Sequence, residues 1–334
     1  MGDIVHTLPL AANAARAGVE VGWLVESVYA PLLRGNTAVA RLFAADTRRW
    51  RWNPLRRATR DAMRGLGREL EDFRPDVVIE AHGLWKSALL ARLAGAPVLG
   101  LTWLQRRELG SALLIDRPVR VPPGDVHVVD QNLRLLEAAG IPVVERAPDA
   151  RYLLQRESPE AAAFLAAVPR PFALYHPGAA RPEKAWGEAR YAELARRLLT
   201  HRGLRPVVSW GPGDEERRDR MKKELPEADV LPGLDFAGLA HAIDASALFV
   251  AGDTGPAHLA DALGRPTLAL FGPASRSRNV PRRNGPYRGR AMRYDETTDV
   301  ALVEAAAADM LDRPGPSSKD RTGDRTESME HRPS

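Results

Sequence analysis

The 334-residue sequence contains no cysteine, and none of its apolar runs reaches the ~18–20 residues that a membrane-spanning helix needs. The absence of cysteine excludes disulfides, thiolate metal ligands and cysteine nucleophiles, and it is compatible with a reducing compartment. The first residues show no basic stretch followed by an apolar one, so no signal peptide is visible. We therefore expect a cytoplasmic protein.

Several motifs that would assign a common enzyme class are also missing. The sequence has no Gly-x-Gly-x-x-Gly and no Walker loop, which argues against a dinucleotide dehydrogenase and a P-loop kinase. It has no Gly-x-Ser-x-Gly nucleophile elbow. It also lacks Asp-x-Asp, the carboxylate pair with which many sugar-nucleotide enzymes hold a divalent metal.

The composition is that of a folded protein with a small basic excess. Apolar residues make up 44% of the chain, which excludes wholesale disorder. The 48 Lys and Arg residues exceed the 43 Asp and Glu residues, and Arg dominates the basic set. The planar Arg fork matches phosphate and carboxylate groups, so this bias indicates anionic partners. A GC-rich genome that writes Arg in place of Lys explains the same bias.

Short β-like runs alternate along the chain with amphipathic helical stretches. This alternation and the chain length predict an α/β protein with two doubly wound, Rossmann-like domains facing across a cleft. We place these domains at residues 1–150 and 165–312. A connection rich in Pro and Ala spans about 145–170, and residues 313–334 form a disordered tail. The predicted elements include strands at 20–25, 76–80, 172–176, 206–210, 248–251 and 267–271, and a helix at 188–199.

Ligands of doubly wound sheets bind at the carboxyl ends of the strands, and the most informative segment lies at such a position. The strand at 248–251 runs into Gly-Asp-Thr-Gly at 252–255, and a helix starts near Pro256. Free N–H groups and the helix dipole at that point favour a phosphate. An ordinary strand-to-helix turn, capped by Asp253 or Thr254, accounts for the same residues.

Two further loops follow predicted strands. The loop after 172–176 carries Lys184, which would neutralise a diphosphate leaving group; a solvated lysine is the alternative. The loop after 206–210 leads into Glu215 and Glu216, either of which would accept hydrogen bonds from ribose hydroxyls. An acidic first turn of a helix is the alternative interpretation of these two residues.

The N-terminal region supplies a candidate base and a basic segment. Asp3 lies in a Gly-Asp loop before a helix and is a candidate general base, with His6 as its rival. Residues 48–60 contain six Arg and two Trp, which suit an anionic sugar-lipid headgroup, a membrane surface or nucleic acid. No known nucleic-acid-binding motif accompanies them, so nucleic acid is the weaker interpretation, and a solvated basic loop is a further one.

In this order and spacing, the segments resemble glycosyltransferase family 9, the heptosyltransferases of lipopolysaccharide core assembly. The resemblance covers most of the chain up to about Leu311. It rests on the following segments: 2–9, 22–26, the Arg/Trp cluster after Asp46, 78–87, 184–186, 253–258 and 271–273.

The resemblance implies a GT-B fold and an inverting, metal-independent transfer of heptose from ADP-heptose to a Kdo residue of the lipopolysaccharide inner core. It implies no cofactor, and its partners are the nucleotide sugar and an anionic Kdo–lipid A acceptor. We expect a monomer that contacts the cytoplasmic face of the inner membrane peripherally and binds no nucleic acid. A relative with another nucleotide sugar or acceptor, and a non-catalytic GT-B binding protein, remain open as alternatives.

The resemblance also implies roles for individual residues. Asp3 would deprotonate the acceptor hydroxyl, and Lys184 would hold the diphosphate together with the Thr254-Gly255 turn. The residues implied for donor binding are Glu216, Asp253, Thr254, Gly255 and His258. Those implied for acceptor binding are Arg48, Arg49, Arg51, Arg56 and Arg57.

The sequence departs from the family pattern in two places. The family carries a β-strand before Gly-Asp, whereas this sequence starts at Met1-Gly2, which suggests a start site assigned too late. Because the first strand of a doubly wound sheet is central, we expect a gap between its neighbours. The second departure is Ala179-Ala180, where the family tends to carry hydroxyl residues near the diphosphate.

Overall fold

The computed structural model describes residues 1–53, 56–124, 127–178, 185–272, 289–295 and 299–312. These residues form an α/β protein. The strands are β1 (Gly22–Glu26), β2 (Arg41–Ala45), β3 (Val78–Glu80), β4 (Val98–Leu101), β5 (Arg117–Val119), β6 (Phe172–His176), β7 (Arg205–Val208), β8 (Asp229–Val230), β9 (Leu248–Gly252), β10 (Thr267–Phe271) and β11 (Gly289–Arg293). The helices are α1 (Gly2–Val5), α2 (Leu8–Arg16), α3 (Ala30–Leu33), α4 (Thr47–Trp52), α5 (Arg57–Phe73), α6 (Trp85–Arg92), α7 (Val128–Ala138), α8 (Pro159–Ala167), α9 (Glu188–Arg202), α10 (Glu215–Glu224), α11 (Phe236–Ala245), α12 (Gly255–Ala262) and α13 (Val300–Asp312).

The C-terminal half is built on one six-stranded parallel sheet in the order β11-β10-β9-β6-β7-β8. Every residue of β6, β9 and β10 is buried, as expected for strands covered on both faces. The predicted strands 172–176 and 267–271 are confirmed to the residue. The helix predicted at 188–199 is α9, whose apolar stripe is buried at Tyr191, Leu194, Ala195 and Leu198.

The described residues of the N-terminal half form two separate parallel sheets. One consists of β1 and β2, and the other has the order β3-β4-β5. In a doubly wound sheet of strand order 3-2-1-4-5-6, the first strand lies between the second and the fourth. Without it, strands 3-2 and strands 4-5-6 are separate groups with a gap between them. The break between β1 and β3 lies at that position.

The two halves share a hydrophobic core. Val5 and Leu8, at the start of the chain, are buried in the same cluster as Ala257 and Leu259 of α12. The connection over 145–170 is also ordered, since it contains α8, which packs against α11. The N-terminal segment is therefore held against the C-terminal half. The predicted tail at 313–334 lies outside the described residues.

A buried ion pair joins two loops of the N-terminal half. The Arg106 Nη2 atom donates to the Glu80 carboxylate, and the two side chains are 0% and 2% exposed. Glu80 ends β3, and its carboxylate also accepts the backbone N–H groups of His82 and Gly83, at 3.0 and 2.9 Å, and the Ser87 hydroxyl at 2.7 Å. The carboxylate therefore fixes the loop after β3 and attaches it to the loop after β4.

The other side of the pair is also packed. Arg106 Nε donates to the Ser111 hydroxyl at 2.7 Å. A Cβ atom on Gly100 of β4 would lie 2.7 Å from Arg106 Nη1, so a glycine is required where the guanidinium crosses the strand. The guanidinium is consequently held between β4 and the turn that follows it.

Removal of Glu80 should lower the free energy of unfolding more than removal of Arg106. Glu80→Met leaves the buried Arg106 charge without a partner and removes the acceptor of three hydrogen-bond donors. Arg106→Met leaves a buried carboxylate that still accepts hydrogen bonds from those three donors. Loss of a buried partner costs about 3–5 kcal/mol, and we expect Glu80→Met at the upper end of that range. Urea unfolding measures both values. Arg57→Met, which removes an exposed pair with Asp61, is the control and should leave the transition unchanged. Equal losses for the two buried-pair variants would contradict the account.

Candidate active site

The Asp-Thr-Gly turn at 253–255 connects β9 to α12. Asp253 and His258 are both buried, and Asp253 Oδ1 lies 3.7 Å from His258 Nε2. Thr254 precedes the helix in an extended conformation, and its hydroxyl makes no capping hydrogen bond. Within the described part of the chain this hydroxyl is buried and has no hydrogen-bond partner. The start of α12 thus combines helix N–H groups with an unused hydroxyl.

Helix α1 packs directly on this turn. A Cβ atom on Gly255 would lie 2.6 Å from the Met1 Cβ atom, and one on Gly2 would lie 2.8 Å from His258 Cδ2. Both contacts are possible only because these two residues have no side chain. The structure therefore brings the Gly-Asp segment and the Asp-Thr-Gly turn together from opposite parts of the chain.

Asp3 is clamped by two side chains of the N-terminal half. Arg107 donates to both carboxylate oxygens, with Nη1 3.1 Å from Oδ2, and His82 Nε2 lies 3.4 Å from Oδ2. Partial burial on its own raises the pKa of this half-exposed carboxyl. The hydrogen bonds from His82 and Arg107 outweigh that effect and hold the pKa well below its usual range. Asp3 is therefore ionised and oriented at physiological pH.

The sequence did not identify His82 or Arg107 as site residues, although both have a recognisable position. His82 follows β3 and Arg107 follows β4, which are the strand ends where ligands of parallel sheets bind. The buried pair of Glu80 and Arg106 lies beside them in the sequence. It fixes both loops, and hence the two groups that hold Asp3.

His6, the rival base, is buried beside the same turn. Its ring packs edge-on against that of His258, with centroids 4.3 Å apart, and its centroid lies 5.9 Å from that of His127. This burial among imidazole rings favours a packing role for His6 at the contact between the two halves.

A second group of polar residues lies at the carboxyl end of β6. His176 is buried, with Nδ1 3.1 Å from the Ser209 hydroxyl. A Cβ atom on Gly178 would lie 2.6 Å from His176 Nε2 and 3.1 Å from Asp214 Oδ2. Burial lowers the pKa of His176 to about 4, although Asp214 acts in the opposite direction. This imidazole is therefore neutral at physiological pH.

Two further residues were predicted to bind the donor or its diphosphate, Glu216 and Lys184. Glu216, in the first turn of α10, is almost fully exposed, and its carboxylate lies 3.9 Å from Arg220 Nη1. Lys184 lies outside the described residues, as do Ala179 and Ala180. The roles assigned to these positions stay predictions.

The five predicted acceptor arginines have different surroundings. Arg49 and Arg56 line a cavity of about 480 Å³ between α4 and α5. Arg48 lies over the Tyr29 ring at 5.8 Å, and its backbone N–H bonds to Glu26. Arg57 is exposed near Asp61. Arg51 belongs to α4, but its side chain is not described. Asp46 and Glu69 line the same cavity, and the acceptor role of the arginines stays a prediction.

No group of three or more His, Asp or Glu residues in the described ranges is arranged to hold a metal ion. In the same ranges, no helix is both long and apolar enough to cross a membrane.

The buried His176 predicts a specific pH dependence of stability. The unfolded imidazole takes up a proton below its ordinary pKa of 6.5, whereas the folded one does so only near 4. Stability should therefore fall by about 3 kcal/mol as the pH decreases through this window. Asp3 has a depressed pKa and an ordinary value of 3.8, so its contribution is lost only at lower pH.

Urea unfolding of the parent chain and His176→Asn between pH 7.5 and 4 measures this effect. The variant is expected to be less stable throughout but to show a flatter profile over the window. Parallel profiles would show that His176 does not carry the dependence.

Comparison with known proteins identifies relatives across most of the chain. The model of glycosyltransferase family 9 (heptosyltransferase) matches residues 63–296. Lipopolysaccharide heptosyltransferase 1 of Pseudomonas aeruginosa is 37% identical over 281 residues, which cover 82% of this chain and 77% of that protein. The structure of E. coli heptosyltransferase WaaC with ADP has a TM-score of 0.75 at 27% identity, covering 93% of this chain and 97% of that one. WaaC with ADP-2-deoxy-2-fluoro heptose has a TM-score of 0.71 at 28% identity, covering 93% and 95%.

These similarities extend over both halves of the chain. The family match includes the carboxyl ends of β3, β4, β6 and β9, near which His82, Arg107, His176 and Asp253 lie, whereas Asp3 precedes the matched residues. The parallel α/β halves correspond to the two Rossmann-like domains of the GT-B fold. The chain therefore belongs to glycosyltransferase family 9, the heptosyltransferases, and is a glycosyltransferase.

Proposed function

We propose that this protein transfers heptose from ADP-heptose to a Kdo residue of the lipopolysaccharide inner core, with inversion and without a metal. The observation that carries the proposal is the position of Asp3. The segment that carries this oriented carboxylate packs, through Met1 and Gly2, on Gly255 and His258 of the turn that is suited to a diphosphate. The relatives named above, and the WaaC structures with ADP and an ADP-heptose analogue, support a nucleotide-sugar donor.

The proposed transfer requires one general base close to the acceptor hydroxyl. Asp3 would accept the proton of the acceptor hydroxyl as that oxygen attacks the anomeric carbon from the face opposite to ADP. The clamp orients Asp3 but lowers its proton affinity. We expect the acceptor hydroxyl to displace the longer contact, to His82, while Arg107 keeps the carboxylate in position.

The leaving diphosphate needs compensation for its growing negative charge. The N–H groups at the start of α12 and its dipole would supply part of this compensation. The Thr254 hydroxyl, which has no hydrogen-bond partner among the described residues, is available as a donor. Lys184 would supply a full positive charge in the same role. Because these groups act together on the departing ADP, no metal is required.

The proposed acceptor is anionic, so its binding site should contain basic side chains. Arg49 and Arg56, at the cavity between α4 and α5, would bind carboxylate or phosphate groups of a Kdo–lipid A acceptor. We further propose that the protein acts as a monomer at the cytoplasmic face of the inner membrane.

Asp3→Asn should separate chemistry from binding. The amide keeps the shape of the carboxylate but accepts no proton, so we expect acceptor-dependent ADP release to fall by about 10²–10⁴-fold. The dissociation constant for ADP-heptose, measured by calorimetry, should change little. Asp61→Asn, at an exposed position of α5, is the matched control and should keep the parental rate.

The same assay tests metal independence, the role of Asp3 as base and the non-catalytic alternative. Transfer by the parent chain should persist in the presence of EDTA. A full rate in Asp3→Asn would remove Asp3 from the role of base. Donor binding without any transfer by the parent chain would favour the non-catalytic alternative.

A further inference from the structure

Exposed apolar side chains concentrate on one part of the N-terminal half. Among the described residues, half of the large hydrophobic side chains that are exposed lie between positions 85 and 113. We call this set the 85–113 surface. It consists of Trp85, Leu89, Trp103, Leu104, Leu109 and Leu113.

These residues belong to elements that pack on one another. Helix α6 contacts the short 3₁₀ segment Leu109–Leu114, which in turn contacts the 3₁₀ segment Trp103–Gln105. A Cβ atom on Gly110 would lie 2.6 Å from the Trp85 ring, and the backbone N–H of Trp85 donates to the Glu108 carboxylate at 2.5 Å. The exposed side chains are therefore carried by neighbouring elements that form one packed framework.

The surface adjoins the proposed base. Arg107, which contacts both oxygens of Asp3, lies between the two 3₁₀ segments. His82, the second partner of Asp3, is three residues before Trp85. A molecule that covers this surface therefore lies close to the hydroxyl that Asp3 would deprotonate.

The surroundings of the surface are basic. The acidic residues of the segment 81–124 are Glu108 and Asp116. Its exposed basic residues are Lys86, Arg92, Arg107, Arg117 and Arg120, whereas Arg106 is buried in its pair with Glu80. Glu26 contacts both this segment and the basic stretch at residues 48–60. Its carboxylate lies 3.9 Å from Lys86 Nζ and accepts a hydrogen bond from the backbone N–H of Arg48. The apolar side chains are thus flanked by positive charge on both segments.

We propose that the 85–113 surface inserts into the headgroup–acyl boundary of an anionic lipid bilayer. Exposed Trp and Leu side chains with basic neighbours suit this boundary, since Trp rings favour the interface and Lys and Arg attract anionic lipid. The benefit to catalysis rests on the proposed function, because it assumes a lipid-linked acceptor. Insertion of this surface would bring Asp3 to the membrane where such an acceptor resides.

Co-sedimentation with vesicles of phosphatidylethanolamine and phosphatidylglycerol tests the proposal. Leu104→Asp with Leu113→Asp alters the two most exposed side chains of the surface, at 86% and 76%. Val144→Asp with Leu302→Asp is the matched control, because it adds the same charge at side chains 62% and 59% exposed outside the surface. We expect the surface pair to bind at least tenfold more weakly than the parent chain, and the control pair to bind like it.

Leu104→Ser with Leu113→Ser separates lost apolar contact from added charge and should also weaken binding. Equal binding by the surface and control pairs would overturn the proposal. Sedimentation equilibrium without vesicles tests a second copy of the chain as the occupant. A dimeric parent that the surface pair converts to a monomer would also overturn it.

The vesicles contain no acceptor, so this test is independent of the transferase assignment. With a water-soluble Kdo acceptor, the surface pair should transfer heptose at the parental rate. If the parent chain binds vesicles through the 85–113 surface but transfers no heptose, the membrane-binding proposal stands and the proposed function is wrong.

Discussion

The geometry of the candidate site depends on the buried ion pair between Glu80 and Arg106. Its two side chains are almost fully excluded from water, and the carboxylate also accepts hydrogen bonds from His82, Gly83 and Ser87. A buried pair of this kind contributes little net stability, since desolvation offsets the attraction, but removal of either partner is costly. Its structural effect is that the loops after β3 and β4 cannot move independently. These loops carry His82 and Arg107, and together these two side chains orient Asp3.

A second constraint acts across the two halves of the chain. Val5 and Leu8 are buried with residues of α12, and the side-chain-free positions Gly2 and Gly255 allow α1 to lie against the Asp-Thr-Gly turn. Asp3 is consequently fixed from two directions, by the side chains of His82 and Arg107 and by the packing of its segment on α12. The proposed displacement at a sugar carbon needs a base that is held in a fixed position relative to the acceptor and the leaving group.

Local patterns in the sequence predicted much of the fold. The fully apolar runs at 172–176 and 267–271 and the helical period around Tyr191 and Leu198 are short-range signals, and they correspond to β6, β10 and α9. The pairing of Asp3 with Arg107 spans 104 positions and leaves no such signal. The Arg cluster could be recognised by composition. The separation of Arg49 and Arg56 from Arg48 depends on side-chain directions that composition does not encode.

The central claim is that this chain moves heptose from ADP-heptose to a Kdo sugar. Mass spectrometry of the lipid acceptor after incubation with the parent chain and ADP-heptose tests it most directly. We predict a mass gain of one heptose unit on a Kdo-bearing lipid A acceptor and none on lipid A without Kdo. An unchanged acceptor mass, under conditions in which calorimetry shows that both substrates bind, would contradict the claim.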